Sequence, residues 1–202
     1  MDVLQLDPTN ATHITQFSKV RLRCLQTDPA AFDSTDKQEL AFGDAEWRAR
    51  LESFAGHPRA IFAVVTVVGA PTGAATSETA AAPIGIVGVG LPAPADATIW
   101  GMWVAPEGRR RGLAAQLLDN AEAWALESGA ETATLWVHRT NDGAQALYRS
   151  RAYKLVGPDG IPANIPDACC GEVCMRTRLA LPGPTTPPQS VRPGPLIYAA
   201  VP

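Results

Sequence analysis

Between residues 104 and 115 the chain reads Val104-Ala105-Pro106-Glu107-Gly108-Arg109-Arg110-Arg111-Gly112-Leu113-Ala114-Ala115, an apolar strand pattern that passes through a broken turn into a helix. Pro106 and Gly108 stop the strand, and Gly112 allows the backbone to come close to a ligand. The chemistry this suits is phosphate binding. The first amide hydrogens of a helix have no partner inside it, the dipole adds positive charge there, and three consecutive arginines strengthen the attraction. A second pair stands further on. Asn141 and Tyr148 are seven residues apart, so on a helix they share a face two turns apart, about 10 Å along the axis. One ligand can touch both. Taken singly, each of these features also has a plain structural reading: a solvated basic loop, a helix cap at Asn141, a buried aromatic at Tyr148.

The pattern Arg109-x-x-Gly112-x-Ala114 resembles the acyl-CoA loop of the GCN5-related N-acetyltransferase (GNAT) family, Arg/Gln-x-x-Gly-x-Gly/Ala. The run Asn141-Asp142-Gly143-Ala144-Gln145-Ala146-Leu147-Tyr148-Arg149-Ser150-Arg151-Ala152-Tyr153 resembles its second motif, Asn-x-x-Ala-x-x-Leu-Tyr-x-x-x-Gly-Phe, with Ala152 in the glycine place. Both motifs fall within residues 104 to 153, in the family's order. The resemblance implies an α/β fold: a mixed, mostly antiparallel sheet flanked by helices and splayed at its central parallel strand pair. It also implies acetyl-CoA as cosubstrate, no metal, and transfer to a primary amine of a small molecule or peptide. Carried over residue by residue, Arg109, Arg110, Arg111, Gly112, Leu113, Ala114 and Ala115 would hold the pyrophosphate. Met102, Trp103 and Val104 would run beside the pantetheine arm, with the Val104 amide as oxyanion donor. Asn141 and Ala144 would contact the cofactor arm, and the Tyr148 hydroxyl would protonate the leaving thiolate. Many relatives carry a glutamate as general base on the strand before the phosphate loop or before the Asn helix. Here those strands read Thr98-Ile99-Trp100-Gly101-Met102-Trp103-Val104 and Leu135-Trp136-Val137-His138, without a carboxylate. His138 is one candidate base, against an ordinary structural role at a strand end, and Glu172 and acidic residues of the early helices are weaker ones.

The elements that would position these residues follow from periodicity. Residues 2 to 6 alternate as a strand, and a helix runs to about Gln26, capped by Thr9 or Thr12 and ended by Asp28-Pro29. Residues 36 to 55 read as helix broken or bent near Gly43, with Asp44 as a cap and Trp47, Leu51 and Phe54 on one face. Strands are expected at about 59 to 68, 84 to 91, 97 to 104, 132 to 138, 153 to 157 and 172 to 179. Helices fill Gly112 to Ser128, stopped by Gly129, and the segment after Asn141. The order β-α-α-β-β-β-α-β-α-β-β suits one α/β domain over residues 1 to 180, with a flexible insertion at 69 to 83. Residues 181 to 202 carry seven prolines and read as an extended or disordered tail. Three apart on a regular strand, Trp100 and Trp103 should face opposite sides.

At 202 residues, with 46% hydrophobic and 18% charged residues, the chain has the make-up of a globular domain. A net charge of -3 argues against nucleic acid or an anionic membrane as partner. No signal-like start and no apolar run of bilayer length are present, so a soluble, cytoplasmic protein is expected, with a homodimer possible in principle. Cys169, Cys170 and Cys174 lack zinc spacing, and with Cys24 they read as reduced thiols; His13, His57 and His138 form no metal motif. Acidic positions Asp33, Asp36, Glu39, Asp44 and Glu46 read as a solvated helix face or as an attraction for a cationic amine. Two other functions compete with acetyl transfer: a catalytically weak acyl-CoA sensing module, and a nucleotide phosphate loop, which lacks its Gly-Lys-Ser/Thr.

Overall fold

The computed structural model describes residues 2–29, 39–52, 59–65, 83–157 and 171–180. In chain order the elements are β1 (Asp2–Gln5), α1 (Ala11–Thr27), α2 (Asp44–Glu52), β2 (Arg59–Val65), β3 (Gly85–Ala93), β4 (Asp96–Val104), a 3-10 turn (Pro106–Gly108), α3 (Leu113–Glu127), β5 (Thr132–His138), α4 (Asp142–Ser150), β6 (Lys154–Leu155) and β7 (Glu172–Arg178). The order expected from periodicity is the order observed. The proposed insertion, the proline-rich tail, Asp33, Asp36, Phe54, His57, Cys169 and Cys170 lie outside the described residues, apart from Pro83 at the end of the insertion.

The strands form one sheet in the order β1-β2-β3-β4-β5-β7-β6. Every neighbouring pair is antiparallel except β4 with β5. That parallel pair is joined through α3, which must therefore cross over one face of the sheet. Leu117 of α3 lies against Gly85, while Ile86 pairs with Trp103, whose indole meets α1. Adjacent residues of a strand point to opposite faces, so α1 and α3 cover the two sides of the sheet. The apolar core draws on Ile14, Phe17, Val20 and Leu25 from α1, and on Leu113, Leu117, Leu118, Ala121 and Ala125 from α3. Trp47 of α2 meets Phe17 edge-on at 5.7 Å, which docks α2 against α1.

Four local expectations are corrected. Neither Thr9 nor Thr12 caps α1. Asn10 does, its Oδ1 accepting from the Thr12 and His13 amides at 2.9 and 3.4 Å, while the Thr9 hydroxyl turns back to Asp7. Asp44 is the first residue of α2 rather than its cap, and the Glu46 carboxylate accepts the Gly43 amide, half of a capping box. Glu39 is not on a solvated face: it is 1% exposed and held by Arg21 at 3.1 Å and Arg50 at 2.8 Å. A carboxylate this deep persists only because two guanidiniums replace its water. Finally, Trp100 and Trp103 share one face. Gly88 pairs with Trp100 and Ile86 with Trp103, so two residues of β3 span three of β4. The extra residue forms a bulge, made possible by Gly101 in the left-handed region at φ 62°.

The turn after α4 carries Ala152 where the family motif has glycine, and Ala152 takes the glycine conformation, φ 63°. The Tyr153 amide reaches the Tyr148 carbonyl and the Ala152 amide that of Arg149, a Schellman closure. The left-handed region costs an L-residue about 1–2 kcal/mol. Ala152→Gly should therefore raise unfolding stability by about 1 kcal/mol, read as a higher urea midpoint at unchanged m-value. A lower midpoint would mean that the alanine methyl contributes packing that outweighs the strain.

Candidate functional site

The parallel pairing of β4 with β5 runs from Asp96–Thr132 to Ile99–Leu135 and stops. Beyond it, Trp100 to Val104 pair with β3 alone, and Trp136 to His138 with β7 alone. The two strands therefore part, leaving an open backbone edge on β4. The Ala105 amide bonds the Ile84 carbonyl, so by alternation the Val104 N–H and C=O turn away from β3, toward the gap. Arg109 Nε donates to that Val104 carbonyl at 3.0 Å, as expected of a group outside the ladder.

At the end of this edge lies the loop into α3. Gly112 caps α3 at φ 77°, where an L-side chain is strained, and Arg110 is also left-handed at φ 62°. No side chain caps α3 and no acid occupies its first turn, whereas α1 and α4 are capped by Asn10 and Asn141. Among the described residues, the backbone N–H groups from Arg110 through Ala115 make no hydrogen bond. Arg110, Arg111 and Gly112 are exposed and Leu113 is buried in the core, so Leu113 can offer only its amide. Arg109 points elsewhere: its Nη2 meets Asp28 Oδ2 at 2.6 Å. The same Asp28 oxygen accepts the Trp103 indole N–H at 2.7 Å, and Arg23 pairs with Glu107 at 2.7 Å. Backbone N–H donation and Arg23 hold the exposed Glu107 carboxyl below its usual range.

The Asn141 Oδ1 accepts the Ala144 amide at 3.1 Å, so the plain capping role is real and leaves the side-chain amide nitrogen unspent. One turn further, Gln145 is buried and donates to the carbonyls of His138 and Arg139, tying α4 to the end of β5. Tyr148 is buried against Tyr153 at 5.7 Å between ring centres, and its hydroxyl has no hydrogen-bond partner among the described residues. Burial pushes this phenol up to about 12. His138 is exposed, its Nδ1 2.7 Å from the Thr140 hydroxyl, and it faces Glu172 across β5 and β7.

Two carboxylate features differ from the sequence reading. β4 begins at Asp96, two residues before the stretch read as carboxylate-free, but that group is bound to Arg176 at the closed end of the gap. Asp28, read only as a helix end, gathers β4 and the loop before α3 through Trp103 and Arg109. Its sequence signal is a negative charge placed at the negative end of the α1 dipole, which is unfavourable without cationic partners. Buried polar atoms were also missed: among the described residues, the Thr98 and Thr134 hydroxyls and the Trp136 indole N–H find no hydrogen-bond partner. Thr98 and Thr134 are register neighbours, and all three share the α1 face where the strands part. Nothing in side-chain type distinguishes such residues from ordinary strand positions. Among the described residues, no helix is long and apolar enough to cross a membrane.

Comparison with known proteins returns the same architecture. A GNAT-family acetyltransferase from Staphylococcus aureus superposes with a TM-score of 0.62 at 10% identity, covering 89% of this chain and 99% of that one. An aminoglycoside 6'-N-acetyltransferase complexed with coenzyme A gives 0.55 at 16% identity, with 92% and 100% covered. The ribosomal-protein-S18-alanine N-acetyltransferase from Escherichia coli gives 0.52 at 15% identity, with 91% and 96% covered. A search of curated protein sequences finds no match. The profile of the acetyltransferase (GNAT) family matches residues 29–153, more than half of the chain and both motifs within it, so this protein belongs to the GNAT family of acetyltransferases.

Proposed function

We propose that the protein transfers the acetyl group of acetyl-CoA directly to a primary amine of a small molecule or peptide. The observation that carries the reading is the run of unspent amides from Arg110 to Ala115 beside the open edge of Trp100 to Val104. Amides at a helix N-terminus, with Arg110 and Arg111 beside them, suit a pyrophosphate. An open strand edge suits the amide groups of a pantetheine arm, which can bond it as a further strand would. In this reading Met102, Trp103 and Val104 flank the arm, and Asn141 offers its remaining N–H donors, with Ala144 leaving room beside them. The relatives include acetyltransferases named for a small-molecule amine, an aminoglycoside, and for a protein alanine, which is why both acceptor classes stand.

Chemically, a nitrogen–carbon bond forms at the thioester carbonyl, the carbon–sulfur bond breaks, and the thiolate takes a proton. The Val104 N–H would stabilise charge on the carbonyl oxygen. Tyr148 would supply the proton. Its ionisation is suppressed by burial, so it stays protonated around neutral pH; the same desolvation would raise the basicity of a thiolate formed beside it. The amine must arrive neutral, and removing its proton at pH 7 costs about 4 to 5 kcal/mol, so a base is required. His138, at the open end of β5, is our candidate. The runner-up function, a catalytically weak acyl-CoA-binding or sensing module, draws on the lack of a carboxylate from Trp100 to Val104 and from Trp136 to Val137.

Calorimetric titration with acetyl-CoA, followed by thiol release against a panel of amines and peptides, tests the whole reading. Binding with amine-dependent release is expected; binding with no release from any amine would leave the sensor. Gly112→Glu places bulk, charge and a strained φ where the pyrophosphate would sit, and should remove detectable acetyl-CoA binding. Tyr148→Phe deletes a hydroxyl that bonds nothing in the described structure, so stability should barely change while turnover falls by roughly 10²-fold. Unaltered turnover would take Tyr148 out of the mechanism. His138→Gln should slow the reaction at least tenfold at pH 7 and recover as rising pH deprotonates the amine; a pH profile parallel to that of the unaltered enzyme would exclude the imidazole as base.

A further inference from the structure

Asp28 sits on the C-cap of a 17-residue helix whose last turn contains no basic residue. The helix dipole disfavours a carboxylate there, yet this one is met by two donors from another part of the chain. Trp103 Nε1 and Arg109 Nη2 both reach Asp28 Oδ2, at 2.7 and 2.6 Å. The Arg109 fork then turns its Nε to the Val104 carbonyl at 3.0 Å. One carboxylate thus fixes the side chain of Trp103 directly and the peptide after Val104 through Arg109, and these are the last two residues of the open β4 edge. The Arg23 guanidinium lies over the Trp103 ring, 5.9 Å from its centre. The Asp28–Arg109 pair is 32% and 46% exposed, and ion pairs so exposed add little to stability. What this one supplies is geometry, because a planar fork bonded on two sides has little freedom to rotate.

We propose that Asp28 is a positioning residue of the donor site: through Trp103 and Arg109 it holds the end of the open edge so that the Val104 N–H stays aimed at the thioester oxygen. Arg109 then acts as a bracket between Asp28 and Val104, and phosphate attraction falls to Arg110, Arg111 and the loop amides. This rests on the assignment of the Val104 N–H under the proposed function. It also joins α1 to the donor loop, so the helix packed on one side of the sheet sets the alignment of the acetyl group in the gap.

Isotope-edited infrared spectroscopy of acetyl-CoA labelled with 13C at the thioester carbonyl tests this without an acceptor. A hydrogen bond to the carbonyl lowers its stretching frequency on binding. The unaltered protein should give that downshift, and Asp28→Asn should lose at least half of it while acetyl-CoA affinity by calorimetry stays within threefold. Arg109→Lys keeps the charge but breaks the fork, and should lose the same share; the double variant should lose no more than either alone, because the two residues act through one contact. Glu107→Gln breaks the neighbouring Arg23 pair and should leave the frequency unchanged. A full downshift retained in both Asp28→Asn and Arg109→Lys overturns the proposal and leaves the Val104 assignment standing. So does an Arg109→Lys variant that binds acetyl-CoA tenfold more weakly with the downshift intact, since that is the behaviour of a phosphate ligand. No downshift, or no binding, in the unaltered protein overturns the Val104 reading and this inference with it.

Discussion

The arrangement of the site follows from one constraint: β4 is paired on both edges only as far as Ile99. A backbone that enters a sheet interior with one edge open leaves N–H and C=O groups that water or a ligand must satisfy. The bulge at Gly101 lies immediately after the last parallel pair, and a bulge bends its strand and increases its twist. It also moves Trp103 onto the face already occupied by Trp100, so both indoles stand on the α1 side. Trp100 has room there because Gly88, beneath it, has no side chain; a Cβ on Gly88 would come within 2.5 Å of the ring. The open edge and the aromatic wall are therefore consequences of the same extra residue.

The remaining polar groups divide into those that close the fold and those left for something else. Asn10, Asn141 and Glu46 satisfy the beginnings of their helices, and Gly129 closes α3 in a left-handed turn with the Ala130 amide on the Ala125 carbonyl. Glu39 shows how the chain treats a charge it must bury, surrounding it with Arg21 and Arg50. Against that thoroughness, the uncapped start of α3 stands apart. Its amides, the adjacent arginines and the open edge follow one another along the chain from Trp100 to Ala115.

Much of this was legible in the residues. The runs Arg109 to Ala115 and Asn141 to Tyr153 carry the resemblance to the family, and the order of strands and helices was legible apart from the 3-10 turn at Pro106–Gly108, since period 2 and period 3.6 differ clearly in the longer elements. Errors arose where a single residue altered the count or the partner was distant. Periodicity assumes a regular strand, so it put Trp100 and Trp103 on opposite faces; Gly101 was visible, but a glycine in a strand does not announce a bulge. Thr9, Asn10 and Thr12 are all good caps, and only the chain path selects among them. Glu39 lies 18 residues from Arg21, and Asp28 lies 81 from Arg109. Separations of that size are set by tertiary packing, which side-chain type and spacing do not encode.

The two departures from the family's second motif, Ala152 for glycine and Tyr153 for phenylalanine, bear on one side chain. In the Schellman closure after α4, the residue beyond the left-handed position packs on the residue three before the cap, and here those residues are Tyr153 and Tyr148. The placement of Tyr148 thus depends on the turn, and the turn is strained by the Ala152 methyl. Tyr153 offsets this with a group phenylalanine lacks, donating its hydroxyl to Glu122 of α3 at 2.9 Å. Burial pushes the Glu122 carboxyl up from its usual range, against the bond from Tyr153, which pulls it down. Arg151, paired with Asp119 one turn away on α3, ties the same turn to the same helix. The turn that orients Tyr148 is consequently fastened to α3, whose N-terminus follows Gly112, so the proposed acid and the proposed donor cradle are tied to one helix.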